Sequence, residues 1–227
     1  MIASIIVTLT LMEAITMDVL NHVLFHLGED AVTWAELLGF VTGAVCVWLC
    51  VRATIWNFPT GIANNIFFLV LFWNAALYAD ASLQVVYLVL GALGWWQWLR
   101  GGAQRSRREM GHAAPRTLLV LVALAVPATW GLTVLLRQAH DIAPFWDALT
   151  TSLSLAAQWL LNAKQVENWY FWIAADLVYI PLYAVKRLDL TAIVYCLFLA
   201  MCLVGLRDWR RRMQSAPATR TALAVSA

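Results

Sequence analysis

The sequence predicts an all-α polytopic membrane protein, with seven core transmembrane helices in parallel 3+1+3 repeats and a further helix at the N-terminus. Three observations lead there. Of the 227 residues, 63% are apolar and only 12% charged, against about 25% charged in water-soluble domains. Seven apolar runs follow one another at 34–51, 58–78, 82–99, 117–136, 145–161, 169–185 and 190–206. Each is near the ~20 residues a helix needs to cross ~30 Å of hydrocarbon. Finally, residues 34–98 align without a gap on residues 145–209, at an offset of 111.

Residues 1–30 are expected to form an interfacial or accessory helix. Glu13 and Asp18 interrupt the apolar run over 1–27, and no Lys or Arg precedes it, so a helix lying on the bundle fits better than a signal peptide. His22 and His26 fall one helical turn apart, but two ligands make a poor metal site, and no metal or cofactor is expected. A first three-helix repeat occupies 31–100. The basic loop 101–116 begins with Gly101 and Gly102 and is rich in Arg. A single linker helix at 117–138 follows, then a second repeat at 139–209 and a basic tail at 210–227, expected to be disordered.

Seven spans place Arg52, Arg100, Arg105, Arg107, Arg108, Arg116, Lys164, Arg207, Arg210, Arg211, Arg212 and Arg220 on one side, against Arg137, Lys186 and Arg187 on the other. Twelve against three puts the C-terminus in the cytoplasm.

Twelve of the 65 aligned pairs are identical, and the kinds of residue matched say more than that number. Trp48 falls on Trp159, Asn57 on Asn168, Gly94 on Gly205, Trp98 on Trp209, and Asn65 on Asp176. Three is odd, so adjacent triplets would point in opposite directions; the intervening helix restores one direction and gives parallel repeats. That is a transporter plan with substrate bound near the midplane between halves. Asn65 and Asp176 would then face each other across the axis.

Around Asp176 the spacing is informative. Trp169, Trp172, Asp176, Tyr179 and Tyr183 recur at three and four residues, one face of a single helix. An ionised side chain at mid-bilayer costs roughly 3 kcal/mol or more, so it faces a cavity, a partner or a substrate. Trp and Tyr faces attract a cation by roughly 0.5–2 kcal/mol each. A cationic-ligand site is therefore expected here, the alternative being an aromatic packing stripe with a hydrogen-bonded Asp.

Other spans carry matching stripes. Gln84, Tyr87, Gly91, Gly94 and Trp98 repeat the rhythm with their mates Tyr195, Phe198, Cys202, Gly205 and Trp209, while Thr151, Ser154 and Gln158, with Thr150 alongside, form a polar stripe on the fifth span. In lipid these groups need partners and should point inward. Gly39 and Gly43 form a GxxxG pair suited to close helix packing.

Several function classes are disfavoured. No Walker loop, GxSxG, HExxH or CxxC is present, so ATP hydrolysis and the common hydrolases have no motif. Cys46, Cys50, Cys196 and Cys202 lie in apolar runs and read as small packing residues. The two Lys, Lys164 and Lys186, sit at helix ends, where a retinal Schiff base has no place. The Arg clusters lie where topology requires them, which argues against nucleic acid. Intramembrane ionisable groups are few, favouring uncoupled passage.

Residues 56–59 (Trp-Asn-Phe-Pro) with Gly61, 77–80 (Leu-Tyr-Ala-Asp) running to Leu83 and Gln84, then Gly94, Trp95 and Trp98, resemble the first half of a PnuC-type vitamin transporter. Residues 147–154, Gln158 to Leu160, Glu167 to Trp169, Trp172 and Gly205 agree with its second half.

The resemblance implies a SWEET-like fold, often a homotrimer, in the bacterial inner membrane. It implies facilitated diffusion of nicotinamide riboside for NAD synthesis, with a cytoplasmic kinase trapping the substrate. Relatives carry thiamine or riboflavin, and in many members an Asn stands where this chain has Asp176.

Nicotinamide riboside is a flat pyridinium cation on a sugar. Thiamine is a flat cation too and remains the alternative cargo; riboflavin is neutral and leaves Asp176 without a purpose. The expected roles are stacking or gating by Trp169 and Trp172, charge balance by Asp176, and polar contacts from Asn65, Gln84, Gln158 and Thr150. Trp56, Tyr179 and Tyr195 are expected to line the cavity, with Tyr87 and Ser154 on the inward stripes. No catalytic residue is expected.

Overall fold

In a computed structural model, the described residues are 20, 22–27, 30–74, 78–101, 108–139 and 141–225. A short antiparallel hairpin, β1 (Val23–Leu27) and β2 (Asp30–Thr33), leads into seven helices among these residues. They are α1 (Trp34–Val51), α2 (Asn57–Asn74), α3 (Tyr78–Arg100), α4 (Pro115–Gln138), α5 (Pro144–Asn162), α6 (Asn168–Val185) and α7 (Asp189–Val225).

Each of α1 to α6 coincides with one apolar run within a few residues, and α7 starts with its run but continues past it, because that pattern and its polar or Pro-containing borders set the other ends. Thr33 starts α1 with a capping box: its hydroxyl accepts from the Glu36 N–H, and the Glu36 carboxylate accepts from the Thr33 N–H at 2.9 Å. Pro115 and Pro144 open α4 and α5 at positions where no backbone N–H is needed.

Two expectations at the chain ends are corrected. The helix expected over 1–27 falls mostly outside the described residues, and its final part is strand β1. There Val23, Phe25 and Leu27 alternate with Leu24 and His26, a period that suits a hairpin. The tail expected to be disordered continues α7 to Val225; Arg, Met, Gln and Ala, good helix formers, predominate in the extension.

Three helices, Trp34–Val51, Pro115–Gln138 and Asp189–Ser215, are long and apolar enough to cross a membrane. The others are of similar length, 18 to 23 residues, but carry the Asn, Gln, Thr, Ser and Asp side chains that dilute their apolarity. Large apolar side chains cover the outside, among them Trp130 (75% exposed), Leu119 (70%) and Trp73 (61%).

Packing closes six helices into a ring. In order around it, α1 packs on α2, α2 on α3, α3 on α5, α5 on α6, α6 on α7, and α7 back on α1. The remaining helix, α4, leans on α5 from outside, where the Thr129 hydroxyl donates to Ser152 Oγ at 3.0 Å.

The turns between α1 and α2 and between α5 and α6 are alike bond for bond. Ala53 N–H donates to the Cys50 carbonyl and Thr54 N–H to that of Leu49, at 2.9 and 3.0 Å. Lys164 N–H and Gln165 N–H make the same bonds to Leu161 and Leu160, at 2.8 and 2.9 Å. Both are Schellman ends with a left-handed residue after the cap, Ala53 at φ 53° and Lys164 at φ 55°. Asn57 and Asn168 then donate their side-chain amides to the Thr54 and Gln165 carbonyls.

At the other ends, α2 and α6 stop at Asn74 and Val185, and α3 and α7 start at Tyr78 and Asp189. Every pair stands 111 residues apart.

The ring is tightest where α1, α3 and α5 end and α7 passes them at Trp209. Trp98 Nε1–H of α3 donates to the Leu161 carbonyl of α5 at 3.0 Å, and Trp209 Nε1–H of α7 donates to the Cys50 carbonyl of α1 at 3.1 Å. Phe58, Trp98, Trp169 and Trp209 form the core there with Val51 and Val166.

Candidate functional site

Half-way along α6, Asp176 is turned into the ring of helices. It is 4% exposed, and its Oδ2 is buried without a hydrogen-bond partner. The Cys202 thiol of α7 is its polar neighbour. A buried, unpaired carboxylate oxygen costs several kcal/mol unless something completes it.

One turn further, the Tyr179 hydroxyl lies beside Thr150 and Ser154 of α5. The Thr150 hydroxyl donates back to the carbonyls of Trp146 and Asp147, both at 3.0 Å, which leaves its lone pairs facing Tyr179. Ser154 also neighbours the hydroxyl of Tyr87, from α3 in the opposite triplet. A buried serine thus stands between phenols from both halves.

Aromatic rings close the far side. Tyr179 stacks on Tyr183 with ring centroids 5.4 Å apart, and Tyr195 of α7 lies 4.6 Å from Tyr179 and 5.1 Å from Tyr183. At that end Lys186 pairs with Asp147 at 2.8 Å. On the other side of Ser154, Gln158 donates to Asn162 Oδ1 at 3.0 Å, and Asn162 donates to the Leu90 carbonyl of α3 at 2.7 Å.

The structure therefore brings together Tyr87, Thr150, Ser154, Asp176, Tyr179 and Tyr195 of the expected site. Gln158, one turn along α5 from Ser154, bonds to Asn162 instead, while Gln84 is half-buried on α3 and Asn65 half-buried on α2. α2 and α6 each pack between the other two helices of their own triplet, so Asn65 and Asp176 stand on opposite sides of the ring.

Three expected residues sit elsewhere. Trp56 lies in the α1–α2 turn and is 67% exposed. Trp169 is 1% exposed, packed edge-on against Trp209 with centroids 5.6 Å apart; Trp172 packs against the same cluster. Periodicity gave both Trp the Asp176 face correctly but carried no information on depth.

Sequence reasoning did not assign Cys202, Asn162 or Tyr183 to the site. Tyr183 was on the aromatic stripe; Asn162 had no signal beyond being an amide in an apolar run. No group of three or more His, Cys, Asp or Glu side chains suited to a metal occurs among the described residues.

Known proteins resemble this chain over most of its length. The nicotinamide riboside transporter PnuC of Escherichia coli strain K12 is 25% identical over 218 residues, covering 85% of this chain and 91% of the relative. The riboflavin/roseoflavin transporter RibM of Streptomyces davaonensis is 26% identical over 207 residues, covering 88% and 97%. In fold, the crystal structure of the vitamin B3 transporter PnuC superposes with a TM-score of 0.61 at 22% identity, covering 78% of this chain and 81% of that one. A sequence model described as nicotinamide mononucleotide transporter matches residues 33–211, which takes in α1 to α6 and α7 as far as Arg211, and the chain belongs to that family of transporters.

Proposed function

We propose that this chain carries nicotinamide riboside down its gradient across the bacterial inner membrane, by facilitated diffusion. The observation that carries this reading is the Asp176 carboxylate, buried at mid-helix with Oδ2 unpaired. A pyridinium cation entering the ring supplies the charge that oxygen lacks, and the Tyr87, Tyr179 and Tyr195 rings supply faces that attract a flat cation. Thr150, Ser154 and Gln158 on one side, with Gln84 and Asn65 on the other, serve the ribose hydroxyls and carboxamide. Trp172 closes the chamber towards the Trp cluster. The relatives named for nicotinamide riboside support the same cargo.

The architecture we propose is the parallel 3+1+3, SWEET-like arrangement with seven spans and a cytoplasmic C-terminus. It is supported by the ends of α1, α3 and α5 meeting Trp209 of α7 in one cluster, where Arg52, Arg100, Arg108 and Lys164 also gather. The apolar outer face of α4 suits lipid or the neighbouring copies of a homotrimer. Trapping by a cytoplasmic kinase would keep an uncoupled carrier running inward.

A riboflavin cargo has RibM in its favour, but a neutral flavin leaves the carboxylate unanswered. Binding of nicotinamide riboside, thiamine and riboflavin to purified protein separates these, measured with Asp176 intact and as Asp176→Asn. A charge-assisted contact is worth about 1.5–3 kcal/mol, so nicotinamide riboside should weaken by roughly 10- to 100-fold in the variant. An unchanged affinity in the folded variant would overturn the reading.

A further inference from the structure

The Arg-rich end of the ring is sealed by two bonds of a particular kind. A helix leaves its last carbonyls without partners inside the helix, and in a membrane each must find one. Here the Schellman turns give the Cys50 and Leu161 carbonyls one donor each, and each terminus takes a further donor from the other triplet. The α1 end takes Trp209 Nε1–H, at 3.1 Å to Cys50 and 3.2 Å to Val51, and the α5 end takes Trp98 Nε1–H, at 3.0 Å to Leu161.

The same indoles form a wall. Phe58 meets Trp98 edge-on at 5.1 Å, Trp98 lies 6.1 Å from Trp209, and Trp209 meets Trp169 edge-on at 5.6 Å. All four are at most 3% exposed. Room for them comes from glycine: a Cβ at Gly205 would lie 2.5 Å from the Trp169 ring, and one at Gly94 would collide with Phe58 and Asn162. Cys202, beside Asp176, precedes Trp209 by two helical turns, about 10 Å along α7. The ring wall therefore lies directly between Asp176 and the Arg-rich face.

We propose that Trp98 and Trp209 are paired latches of a gate at the Arg-rich end, each tying one triplet to the helix terminus of the other, so that the structure holds this end shut. The chemistry suits a reversible gate. When the triplets part, water enters and satisfies the freed carbonyls and indole N–H groups, so each latch costs little to exchange although it is well formed when dry. The inference goes beyond cargo identity, and its test uses no cargo, so it stands or falls separately.

The test uses full-length protein in oriented vesicles with Cys50 as the sole cysteine, Cys46, Cys196 and Cys202 being replaced by Ala. A membrane-impermeant maleimide is added from one face at a time. Trp209→Phe should raise the labelling rate of Cys50 about tenfold from the Arg-rich face, Trp98→Phe should raise it similarly, and the double variant further, with labelling from the opposite face unchanged. As a check against misfolding, benzothienylalanine at position 209 keeps the ring's size and removes only the N–H donor. It should reproduce the Trp209→Phe rate. Unaltered labelling with that analogue, or equal acceleration from both faces, would overturn the gate.

Discussion

At the turns the two triplets make the same bonds with residues 111 apart, whereas half-way along the helices they share little chemistry. In the first triplet Phe68 and Phe72 stack at 5.6 Å, Phe68 fills the space above Gly39, and Phe198 reaches across to within 3.5 Å of where a Cβ on Gly43 would lie. The equivalent places in the second hold Tyr179 and Tyr183, stacked at 5.4 Å, with Tyr179 beside Thr150, and Tyr87 reaching across to Ser154. Ring positions are kept, and hydroxyls appear on one side alone. Asn65 against Asp176 completes the contrast. Residues that agree between halves belong to the frame, and residues that disagree gather where we propose the cargo binds.

Three pairs of substitutions would break or sharpen this comparison. The largest effect should come from Gly94→Ala and Gly205→Ala, each forcing a methyl into a closed ring contact; both should cost about 1–3 kcal/mol, read as a fall in melting temperature in detergent. If one were silent, the two ring contacts would not be equivalent. Next, Asn57→Ala and Asn168→Ala each remove one turn bond and should cost about 1 kcal/mol apiece, with losses matching each other in chemical denaturation.

Smallest is the relief of the left-handed residues. Ala53→Gly should stabilise by up to about 1 kcal/mol. Lys164→Gly should not, because Lys164 Nζ also donates to the Arg108 carbonyl at 3.0 Å and sits 4.4 Å from the centre of the Trp98 ring. Equal gains at both positions would show that these lysine contacts contribute nothing.

Much of the frame was legible in the sequence because apolar length and polar borders decide where membrane helices begin and end. The duplication was legible from rare residues, since Asn, Gly and Trp at matched positions are hard to explain by a common taste for Leu. The gathering of polar groups inside the ring was partly legible: Thr150, Ser154, Asp176 and Tyr179 announce themselves as polar groups that lipid will not tolerate. Depth and partnership were not. Trp169 has the same spacing from Asp176 that a ligand-stacking ring would have, and only the fit against Gly205 and Trp209 places it in the wall instead. Trp56 reads as a chamber residue beside Asn57, yet the turn points it outward. β1 was hidden because its five apolar and aromatic residues suit either a helix or a strand until a partner strand is at hand.

Apart from an Arg108 N–H bond to the Trp98 carbonyl of α3 at 3.2 Å, the described part of the loop after α3 is fastened to the second half. Gly111 exchanges backbone bonds with Lys164 and Val166, the Glu167 carboxylate accepts from the Ala113 N–H and meets His112 Nδ1, both at 2.8 Å, and α4 bonds to Ser152. Mechanically, then, the linker is cargo of the second triplet: the protein divides into a heavy four-helix body and a light three-helix one. Any rocking about the ring's centre would swing the lighter body farther, as a door moves against its frame.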